Sequence, residues 1–535
     1  MKQNLLYLFF IILFQFSFSQ TVTLDTTFGT NGKVTNTSIT SGQTIQLQSD
    51  GKIVSCYLAD FSITGNVRLA RFNSDGSIDT TFGTNGFVNS IVVNETGYIN
   101  MMKIQPDGKI LVTGCISSTG TANSSYLDFC TARFNADGTL DTDFGTNGYA
   151  VTGFENLSYD TGEAIKIQND GKILVGGYSS QHYLSSSNSS TDFAVVRYFP
   201  NGTIDTSFGT NGKFTYNFGT HVVPFQGPYS SDFLTSIDIN SFGKIILAGD
   251  TTVDETFEDF SKFGLICLDA DGTLDTSFGS NGQKVIDFGQ RGYMQNLKLT
   301  YDDKIIATGN HRYTTDGTNN FAKIVLVKLL ANGNFDAGFG NNGIVLANRD
   351  SSNLIDLAND LNILPDGKII CFGTTPGPTV TMGNFLLIRF NTNGTTDTTF
   401  NGIGYKTVDF DNSDTYGFSF LIQPDGKFLC AGAIDFSIGC LARLDIGDLS
   451  ATSFATQSFS VYPNPFSETI TIESKALNLE NATVELYDIS GRKLSEYRMG
   501  TSNLTITIDK NLSKGNYLLK IISEGKTETI KIIKQ

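Results

Sequence analysis

Short runs in which apolar and polar residues alternate recur through residues 24–445, and many are interrupted by Asp-Gly. Clear examples are Ile104-Gln-Pro-Asp-Gly-Lys-Ile-Leu-Val112 and Ile167-Gln-Asn-Asp-Gly-Lys-Ile-Leu-Val175. Alternation places one face of a strand against a core, and Asp-Gly accepts the positive φ angles of a tight hairpin turn. The dipeptide returns at Asp50-Gly51, Asp366-Gly367 and Asp425-Gly426, with altered forms at Phe242-Gly243 and Asp302-Asp303. The pattern predicts a β-hairpin in each segment.

Two further patterns accompany the hairpins, and in the first of them Lys328 replaces the arginine in one copy and Cys267 in another. One is a strand that ends in a basic and a large apolar residue, as in Ala70-Arg71-Phe72, Ala132-Arg133-Phe134, Val196-Arg197-Tyr198, Ile388-Arg389-Phe390 and Ala442-Arg443-Leu444. The other is the motif Asp205-Thr-Ser-Phe-Gly-Thr-Asn-Gly212, whose phenylalanine recurs at Phe28, Phe82, Phe144, Phe208, Phe278, Phe339 and Phe400. The spacings run from 54 to 70 residues. A recurring period of this size is the signature of a repeat architecture.

Each cycle predicts four short strands, which we call a (Ala164–Gln168), b (Lys172–Gly176), c (Phe193–Tyr198) and d (Gly212–Tyr216) in one copy. Seven cycles of four antiparallel strands fit a seven-bladed β-propeller. If strand d is outermost, the last blade takes strands a to c from residues 418–444 and strand d from residues 31–37. Such a shared blade would join the two ends of the ring and leave no unpaired inner strand. The cycles resemble the delta-sixty repeat family of secreted bacterial proteins.

The two ends of the chain differ from the repeats. Residues 1–19 carry Lys2 before an apolar run, with small residues ahead of Gln20, which predicts a signal peptide too short to span a membrane. We expect a propeller over residues 20–445. Residues 446–458 are small and polar and break the period, as a linker does. Residues 459–535 form a separate segment with alternation typical of strands.

The C-terminal segment contains Phe459-Ser-Val-Tyr-Pro-Asn-Pro465, Val484-Glu-Leu-Tyr-Asp-Ile-Ser-Gly-Arg-Lys493 and Leu512-Ser-Lys-Gly-Asn-Tyr-Leu-Leu-Lys520, and ends in Lys531-Ile-Ile-Lys-Gln535. These motifs resemble the C-terminal sorting (Por) domain of type IX secretion cargo in Bacteroidetes-type bacteria. The resemblance implies a small β-sandwich, recognition by the outer-membrane export machinery, and a protein that is displayed on the cell surface or released. The residues that carry this sorting signal are Pro463, Asn464, Pro465, Gly491, Gly515, Tyr517, Lys531 and Lys534.

Composition and charge narrow the function classes. The net charge of −16 and the lack of a long basic run argue against nucleic acid as a partner. No later apolar run reaches transmembrane length. The seven cysteines show no zinc-binding spacing, and no phosphate loop or cofactor motif occurs, so we expect no metal or cofactor. Cys115 with Cys130, and Cys430 with Cys440, can face each other across strands; otherwise the thiols are buried and free.

One acidic residue occupies the same position in all cycles: Asp25, Asp79, Asp141, Asp205, Asp275, Asp336 and Asp397. Because an active site is asymmetric and this feature is sevenfold, we expect it to cap a turn or to pair with the basic residue that ends strand c. Asp269, Asp271 and Asp275 together also resemble part of a calcium loop, which is the alternative for that copy.

Function should lie where the cycles differ, in the b–c and d–a connections, which open on one face of a propeller. The variable segments are 178–191, 213–231, 250–262, 310–320 and 374–384. They contain the candidate ligand-binding residues His182, Tyr183, His221, Tyr229, His311 and Arg312. Alternatively, these are solvated loop residues. Two functions remain open: a non-enzymatic surface module that binds a glycan, matrix or protein ligand, and a secreted polysaccharide hydrolase or lyase.

Overall fold

The structure is a computed structural model of the 535-residue chain. It describes residues 20–39, 42–59, 66–89, 97–117, 126–154, 158–181, 190–219, 221–223, 227–252, 261–314, 320–349, 355–377 and 383–447. In the C-terminal segment it describes residues 459–462, 464, 466, 468–474, 482–488, 493–498, 503–507, 512, 515–523 and 526–534.

All regular secondary structure in these ranges is β-strand. The strands of the repeat region are β1 (Thr23–Leu24), β2 (Lys33–Asn36), β3 (Gly42–Leu47), β4 (Ile53–Ala59), β5 (Asn66–Phe72), β6 (Phe87–Asn89), β7 (Gly97–Ile104), β8 (Ile110–Ser117), β9 (Leu127–Phe134), β10 (Tyr149–Thr152), β11 (Ser158–Ile167), β12 (Ile173–Gln181), β13 (Ser190–Tyr198), β14 (Lys213–Tyr216), β15 (His221–Val223), β16 (Gly227–Ser231), β17 (Phe233–Ile239), β18 (Ile245–Thr251), β19 (Lys262–Leu268), β20 (Gln283–Ile286), β21 (Arg291–Leu299), β22 (Ile305–Thr314), β23 (Asn320–Leu329), β24 (Ile344–Ala347), β25 (Leu357–Ile363), β26 (Ile369–Pro376), β27 (Gly383–Phe390), β28 (Tyr405–Val408), β29 (Thr415–Ile422), β30 (Phe428–Ile434) and β31 (Ile438–Asp445). The C-terminal segment adds β32 (Phe459–Tyr462), β33 (Thr469–Ser474), β34 (Thr483–Asp488), β35 (Lys493–Arg498), β36 (Asn503–Thr507), β37 (Gly515–Ser523) and β38 (Lys526–Lys534). In the described part of the chain, no helix has the length and hydrophobicity that a membrane crossing requires.

Consecutive strands pair in groups of four, and each group is an antiparallel sheet in chain order. These groups are β3–β6, β7–β10, β11–β14, β17–β20, β21–β24 and β25–β28. The hairpin β15–β16 attaches to β13 by two parallel pairs. The first strand of each group packs against the first strand of the next, and β29 packs against both β25 and β3. The first strands therefore follow one another around a closed circle.

The last group of strands takes its fourth strand from the start of the chain. Strands β29, β30 and β31 pair in order, and β2 then pairs with β31 from Lys33 opposite Ala442 to Asn36 opposite Gly439. β1 extends the same edge, with Thr23 opposite Asp445. The prediction that residues 31–37 complete the last blade is confirmed.

A second junction between the ends lies beside Gln20. The Gln20 amide N–H donates to the Thr399 carbonyl at 2.8 Å, and the Asn401 amide donates to the Gln20 carbonyl at 2.7 Å. In other copies, the residue equivalent to Asn401 donates its amide N–H to a carbonyl in a turn of the next repeat, as Gly83 does to the Asp137 carbonyl. Gln20 thus occupies the place of that turn for the β25–β28 sheet.

The repeated aspartate holds the motif to strand c, as the sequence predicted. Arg71 Nε donates to Asp79 Oδ2 at 2.7 Å, and the Arg71 guanidinium lies 4.6 Å from the Phe82 ring centroid. Thr81 donates through its backbone N–H and its hydroxyl to Asp79 Oδ1. We call this set of contacts the Asp–Arg clamp. Phe82 and its equivalents are almost fully buried, so the clamp lies over an aromatic core.

The clamp also joins neighbouring sheets. Arg71 Nη1 donates to the Ala136 carbonyl of the next repeat at 2.6 Å. Burial raises the pKa of Asp79, but hydrogen bonds from Thr81 and Lys52 and the Arg71 charge outweigh it, and the pKa ends below its ordinary value. The aspartate therefore remains ionised at neutral pH and fixes a basic partner on each side.

Hydrophobic side chains fill the space between successive sheets. One cluster combines Ile246 and Ala248 of β18 with Met294 of β21 and Val325 of β23. Equivalent clusters lie between other neighbouring sheets, for example around Phe193, Phe208 and Leu234. Because each sheet buries both faces, a single sheet has no complete core without its neighbours.

Most first strands carry a β-bulge where the second strand carries a glycine. In β11 the pairing register with β12 shifts between Gly162 and Ala164. A Cβ on Gly177 would lie 1.9 Å from the Thr161 carbonyl oxygen, so only glycine fits. The same close approach occurs at Gly114, Gly249, Gly309, Gly373 and Gly432.

The C-terminal segment forms two antiparallel sheets, β32–β33–β36 and β35–β34–β37–β38. Their buried side chains make one cluster, to which Ile470 and Ile506 contribute from the first sheet and Leu486 and Leu519 from the second. The alternation expected within residues 459–535 is found in strands, for example in β34 and β37.

Candidate functional site

A cavity of about 570 Å³ lies where the first strands meet, and β3, β7, β11, β17, β21, β25 and β29 all line it. Its volume lies in the range of small-molecule sites. Near the end of each first strand, four residues before the first residue of the Asp-Gly turn or its altered form, one equivalent position lines the cavity in every strand. These residues, which we call the girdle, are Gln46, Lys103, Lys166, Asp238, Lys298, Asn362 and Leu421.

The girdle breaks the sevenfold repeat. Six of its seven positions carry an amide or a charged group, and these differ in kind and sign, whereas the Asp–Arg clamp recurs with few changes. An irregular set of side chains on a regular scaffold is what a specific binding site requires. The girdle precedes the a–b turns, so it lies towards the face opposite the variable connections.

The two carboxylates in the lining are held by backbone amides. Asp238 Oδ1 accepts from the Ile239 N–H at 2.9 Å, and its Oδ2 accepts from the Leu299 N–H of the next first strand at 3.1 Å. Asp238 also forms an ion pair with Lys166. These bonds join one first strand to the next.

Asp360 is bonded in the same way. Its Oδ1 accepts from Asn296 Nδ2 at 2.7 Å and from the Leu361 N–H at 2.8 Å. Its Oδ2 accepts from the Phe420 N–H of the next first strand at 2.9 Å. Burial raises the pKa of Asp360, while Lys298 and these amides act in the opposite direction.

Two lysines in the lining have no such partners. Within the described ranges, neither Lys103 nor Lys298 has a carboxylate within 4.0 Å or a side-chain hydrogen bond. Burial, with smaller contributions from the Lys298 and Lys166 charges, lowers the pKa of Lys103 to about 8, against the opposing effect of Asp360 and Asp238. Three lysines thus share the cavity with two carboxylates.

The variation between repeats directed the prediction to the connections between strands, so the cavity residues were not predicted. A signal was present: a charged residue stands between two apolar residues in Ile165-Lys-Ile167, Ile237-Asp-Ile239 and Leu297-Lys-Leu299. In a strand that is packed on both faces, a charged residue between two apolar ones must face water or a polar partner. Only the ring shows that the place it faces is the central cavity.

Two of the candidate ligand-binding residues fall outside the described ranges, and two lie in a short hairpin. His182 and Tyr183 lie outside the described residues. His221 and Tyr229 are register partners in the β15–β16 hairpin, which continues the edge of β13. The hairpin shows that part of the predicted 213–231 loop is strand.

His311 and Arg312 also lie in a strand, β22, which corrects their assignment to a loop. The strand is longer than expected because its pairing continues on both sides, with Arg312 opposite both Arg291 and Ala322. The His311 ring is buried and stacks on Tyr313 with centroids 5.5 Å apart. Burial lowers its pKa, and Lys323 adds to this.

The structure therefore brings together only part of the predicted site. His311 and Arg312 share a patch with aromatic rings, since the Arg312 guanidinium lies 5.2 Å from the Tyr293 ring centroid. The β15–β16 hairpin of His221 and Tyr229 belongs to a different sheet. None of these residues lines the central cavity.

Four of the eight predicted sorting residues, Gly515, Tyr517, Lys531 and Lys534, lie in β37 and β38. Tyr517 and Lys534 are buried, Gly515 pairs with Lys534, and Leu518 pairs with Lys531. Asn464 is exposed. Pro463, Pro465 and Gly491 lie outside the described residues.

The calcium alternative at Asp269, Asp271 and Asp275 has no support in the geometry. Asp275 Oδ2 pairs with Lys244 at 2.5 Å, and Asp271 Oδ1 accepts from Thr273. In the part of the chain that the structure describes, no group of three or more His, Cys, Asp or Glu side chains is arranged to hold a metal ion.

The seven cysteines are buried, and none of them forms a disulfide. Cys130 lies opposite Gly114 and Cys440 lies opposite Gly432, so neither considered pair is in direct register. Burial raises the pKa of Cys56 and Cys371 to about 12, which keeps them as unreactive thiols.

Comparison with known families agrees with this architecture. Residues 460–535 match the secretion system C-terminal sorting domain. Residues 48–82, 105–144, 168–208, 243–278 and 364–400 match a β-propeller domain of unknown function, DUF5122. The chain is a β-propeller protein with a type IX sorting tail. The tail implies export through the type IX machinery, as the sequence motifs predicted.

Solved structures similar to this propeller protein are distant. The β-propeller domain of the Trilobed protease from Pyrococcus furiosus is 10% identical, with a TM-score of 0.38 over 78% of this chain and 99% of that one. An α-L-arabinanase from Penicillium chrysogenum is 11% identical, with a TM-score of 0.34 over 64% of this chain and 94% of that one. Among curated proteins, none matches the chain. No activity is transferred from these likenesses.

Proposed function

We propose that the chain is an exported binding protein: a signal peptide (residues 1–19), a seven-bladed propeller (20–445), a linker (446–458) and a β-sandwich sorting domain (459–535). The seven first strands that line one cavity support the blade number. The common core of the two C-terminal sheets supports the sandwich. Export would deliver the propeller to the cell surface or to the medium.

The propeller's role is to hold a ligand, with the central cavity as the principal site. The proposal rests on the hydrogen bonds that the two cavity carboxylates accept. Asp238 and Asp360 each accept hydrogen bonds from the backbone of the next first strand, so they act as structural links between blades. A polysaccharide hydrolase needs two carboxyl groups that are free to act, one as the acid and the other as the base or nucleophile. Because Asp238 and Asp360 are both engaged by backbone amides, the cavity favours binding over hydrolysis.

The patch around His311 and Arg312 is a secondary candidate contact on the opposite face. Aromatic rings that surround a cation offer a surface on which sugars or a protein side chain can stack. His221 and Tyr229 of the β15–β16 hairpin belong to the same proposed face. His182 and Tyr183 stay candidates from the sequence and lie outside the described residues.

The proposal is tested by presenting the full-length protein to an array of glycans and polysaccharides. Both retention and turnover are scored on every spot. We expect retention without new reducing ends or unsaturated products. Turnover that is lost in Asp360→Asn would establish the hydrolase or lyase alternative, and no retention on any spot would refute the binding of glycans and polysaccharides.

A further inference from the structure

The central cavity carries an excess of positive charge inside an acidic protein. The whole chain has a net charge of −16. The cavity lining contains Lys103, Lys166 and Lys298 but only two carboxylates, Asp238 and Asp360. The local charge therefore opposes the sign of the surrounding protein.

The excess is concentrated on two side chains. Lys166 is paired with Asp238, and both oxygens of Asp238 also accept backbone bonds. Asp360 accepts three hydrogen bonds, none of them from a lysine. Lys103 and Lys298 are thus left with only long-range attraction to carboxylates among the described residues.

Two unpaired ammonium groups that repel each other inside a cavity are unfavourable unless something compensates them. The two lysines interact strongly enough for Lys298 to depress the pKa of Lys103. An anion placed between them would remove this repulsion and accept hydrogen bonds from both.

From this geometry we propose that the central cavity binds a ligand bearing a carboxylate, sulfate or phosphate group, and that Lys103 and Lys298 hold the anionic group. The inference rests on the proposed binding function and specifies its ligand chemistry. The cavity volume of about 570 Å³ exceeds what a single oxyanion fills, so the charged group belongs to a larger molecule such as an acidic sugar. Gln46 and Gln295 of the lining offer amides to its neutral part.

The test uses full-length protein and isothermal titration at constant ionic strength in chloride. The titrants are phosphate, sulfate, glucuronate and, as the neutral counterpart, glucose. We expect glucuronate to bind more tightly than phosphate or sulfate, and glucose to bind at least about tenfold more weakly. Equal affinity for glucuronate and glucose would overturn the inference. Binding of phosphate or sulfate alone would show that the site takes free oxyanions and no acidic sugar.

Variants locate the site. Lys103→Met and Lys298→Met should each lower glucuronate affinity by about tenfold or more, since each removes one charged hydrogen bond. The matched control is Lys406→Met, on the outer strand β28. Removing one of two repelling charges should leave the melting temperature unchanged or raised, so loss of binding cannot be ascribed to unfolding. Full affinity in both variants would refute the assignment.

The pH profile gives an independent readout. Lys103 loses its charge as the pH rises through about 8, with Lys298, Lys166, Asp238 and Asp360 as the charged groups around it. Glucuronate affinity should therefore fall between pH 7 and pH 9 and should fall less in Lys103→Met. A flat profile in the native protein would contradict the role of Lys103.

Failure of this inference is distinguishable from failure of the binding function. If the array retains neutral glycans and anions have no effect, the binding function stands and the cavity assignment fails. If the array retains nothing while glucuronate binds through Lys103 and Lys298, the cavity assignment stands and the proposed glycan ligands are wrong.

Discussion

Arg443 Nε donates to Asp25 Oδ2 at 2.7 Å although 418 residues separate the two in the chain. The Arg443 guanidinium also lies 4.6 Å from the Phe28 ring centroid. The same contacts join Arg133 to Asp141 and Phe144, which are close in sequence. One repeated clamp therefore organises each motif locally and, in this copy, closes the ring.

Replacing Arg443 by Met should destabilise the ring and release the N-terminal strand. The change leaves Asp25 buried with only Lys427 as a cationic partner, and breaking a buried pair in this way costs about 3–5 kcal/mol. Chemical unfolding measures the cost, and limited proteolysis within residues 20–36 measures the release. Arg133→Met is the matched control, because it removes the same clamp within one repeat. Equal cleavage of residues 20–36 in both variants would show that Arg443 does not hold the closure.

Stability should depend on pH in two opposite ways. The clamp aspartates have lowered pKa values, to about 2 for Asp205 and Asp397, so their contribution is complete above about pH 4 and is lost as the pH falls towards 2. Burial raises the pKa of Asp160 to about 6 and of Asp250 to about 7, so these groups lower stability as the pH rises through those values. Thermal midpoints should therefore be highest near pH 4 to 5 and decline on both sides.

Asp250→Asn separates the two effects. Asp250 Oδ1 accepts from the Met294 N–H at 2.6 Å, and an amide oxygen can accept the same bond without ionising. The variant should lose less stability than the native protein between pH 5 and pH 8 and behave like it below pH 4. An unchanged slope between pH 5 and pH 8 would mean that Asp250 does not titrate in that window.

Gly177→Ala should destabilise the third sheet strongly. The added Cβ would lie 1.9 Å from the Thr161 carbonyl oxygen, so the bulge in β11 would have to shift. We expect a loss of about 1–3 kcal/mol or more in chemical unfolding. Gly338→Ala is the control, because its Cβ would meet only Asp336 Oδ1 at 3.5 Å. A Gly177→Ala variant as stable as the control would show that the bulge is not rigid.

Gly338→Ser should stabilise the protein. The equivalent Ser277 hydroxyl donates to Asp275 Oδ1 at 2.6 Å, and Gly338 alone among the clamps supplies no side chain at this position. The added hydroxyl and the reduced freedom of the unfolded chain should together contribute about 0.5–1.5 kcal/mol. Chemical unfolding at pH 7 measures the gain, and Asp336→Asn in the same background should remove part of it.

Truncation after residue 445 should block export and leave the ring folded. The sorting domain supplies the address for the type IX machinery, whereas β31, the last strand of the ring, ends at Asp445. We expect the truncated ring to remain in the periplasm, and the intact protein to reach the surface or medium shortened by the tail. Fractionation and immunoblotting of cells expressing each form distinguish these fates. Equal appearance of both forms outside the cell would contradict the role of the tail.

Local sequence was sufficient for much of this architecture. The Asp-Gly hairpins, the strand that ends in a basic residue and the motif built on Phe208 each depend on residues close in the chain, whose turn chemistry acts over short distances. For the same reason the repeated aspartate could be assigned to the scaffold. The period also predicted that residues 31–37 complete the last sheet, because an unpaired edge in a closed ring had only that partner.

The tertiary structure decided what the repeat pattern leaves undetermined. The length of β22, and with it the placement of His311 in a strand, depends on pairing with two neighbours that no local pattern specifies. The glycines opposite the bulges, such as Gly177, are explained only by a carbonyl from another strand. Lys103 and Lys298 are 195 positions apart in sequence and lie in different strands, so only the closed ring of first strands places them in one cavity. Sequence thus determined each repeat, and long-range packing determined where the differences between repeats meet.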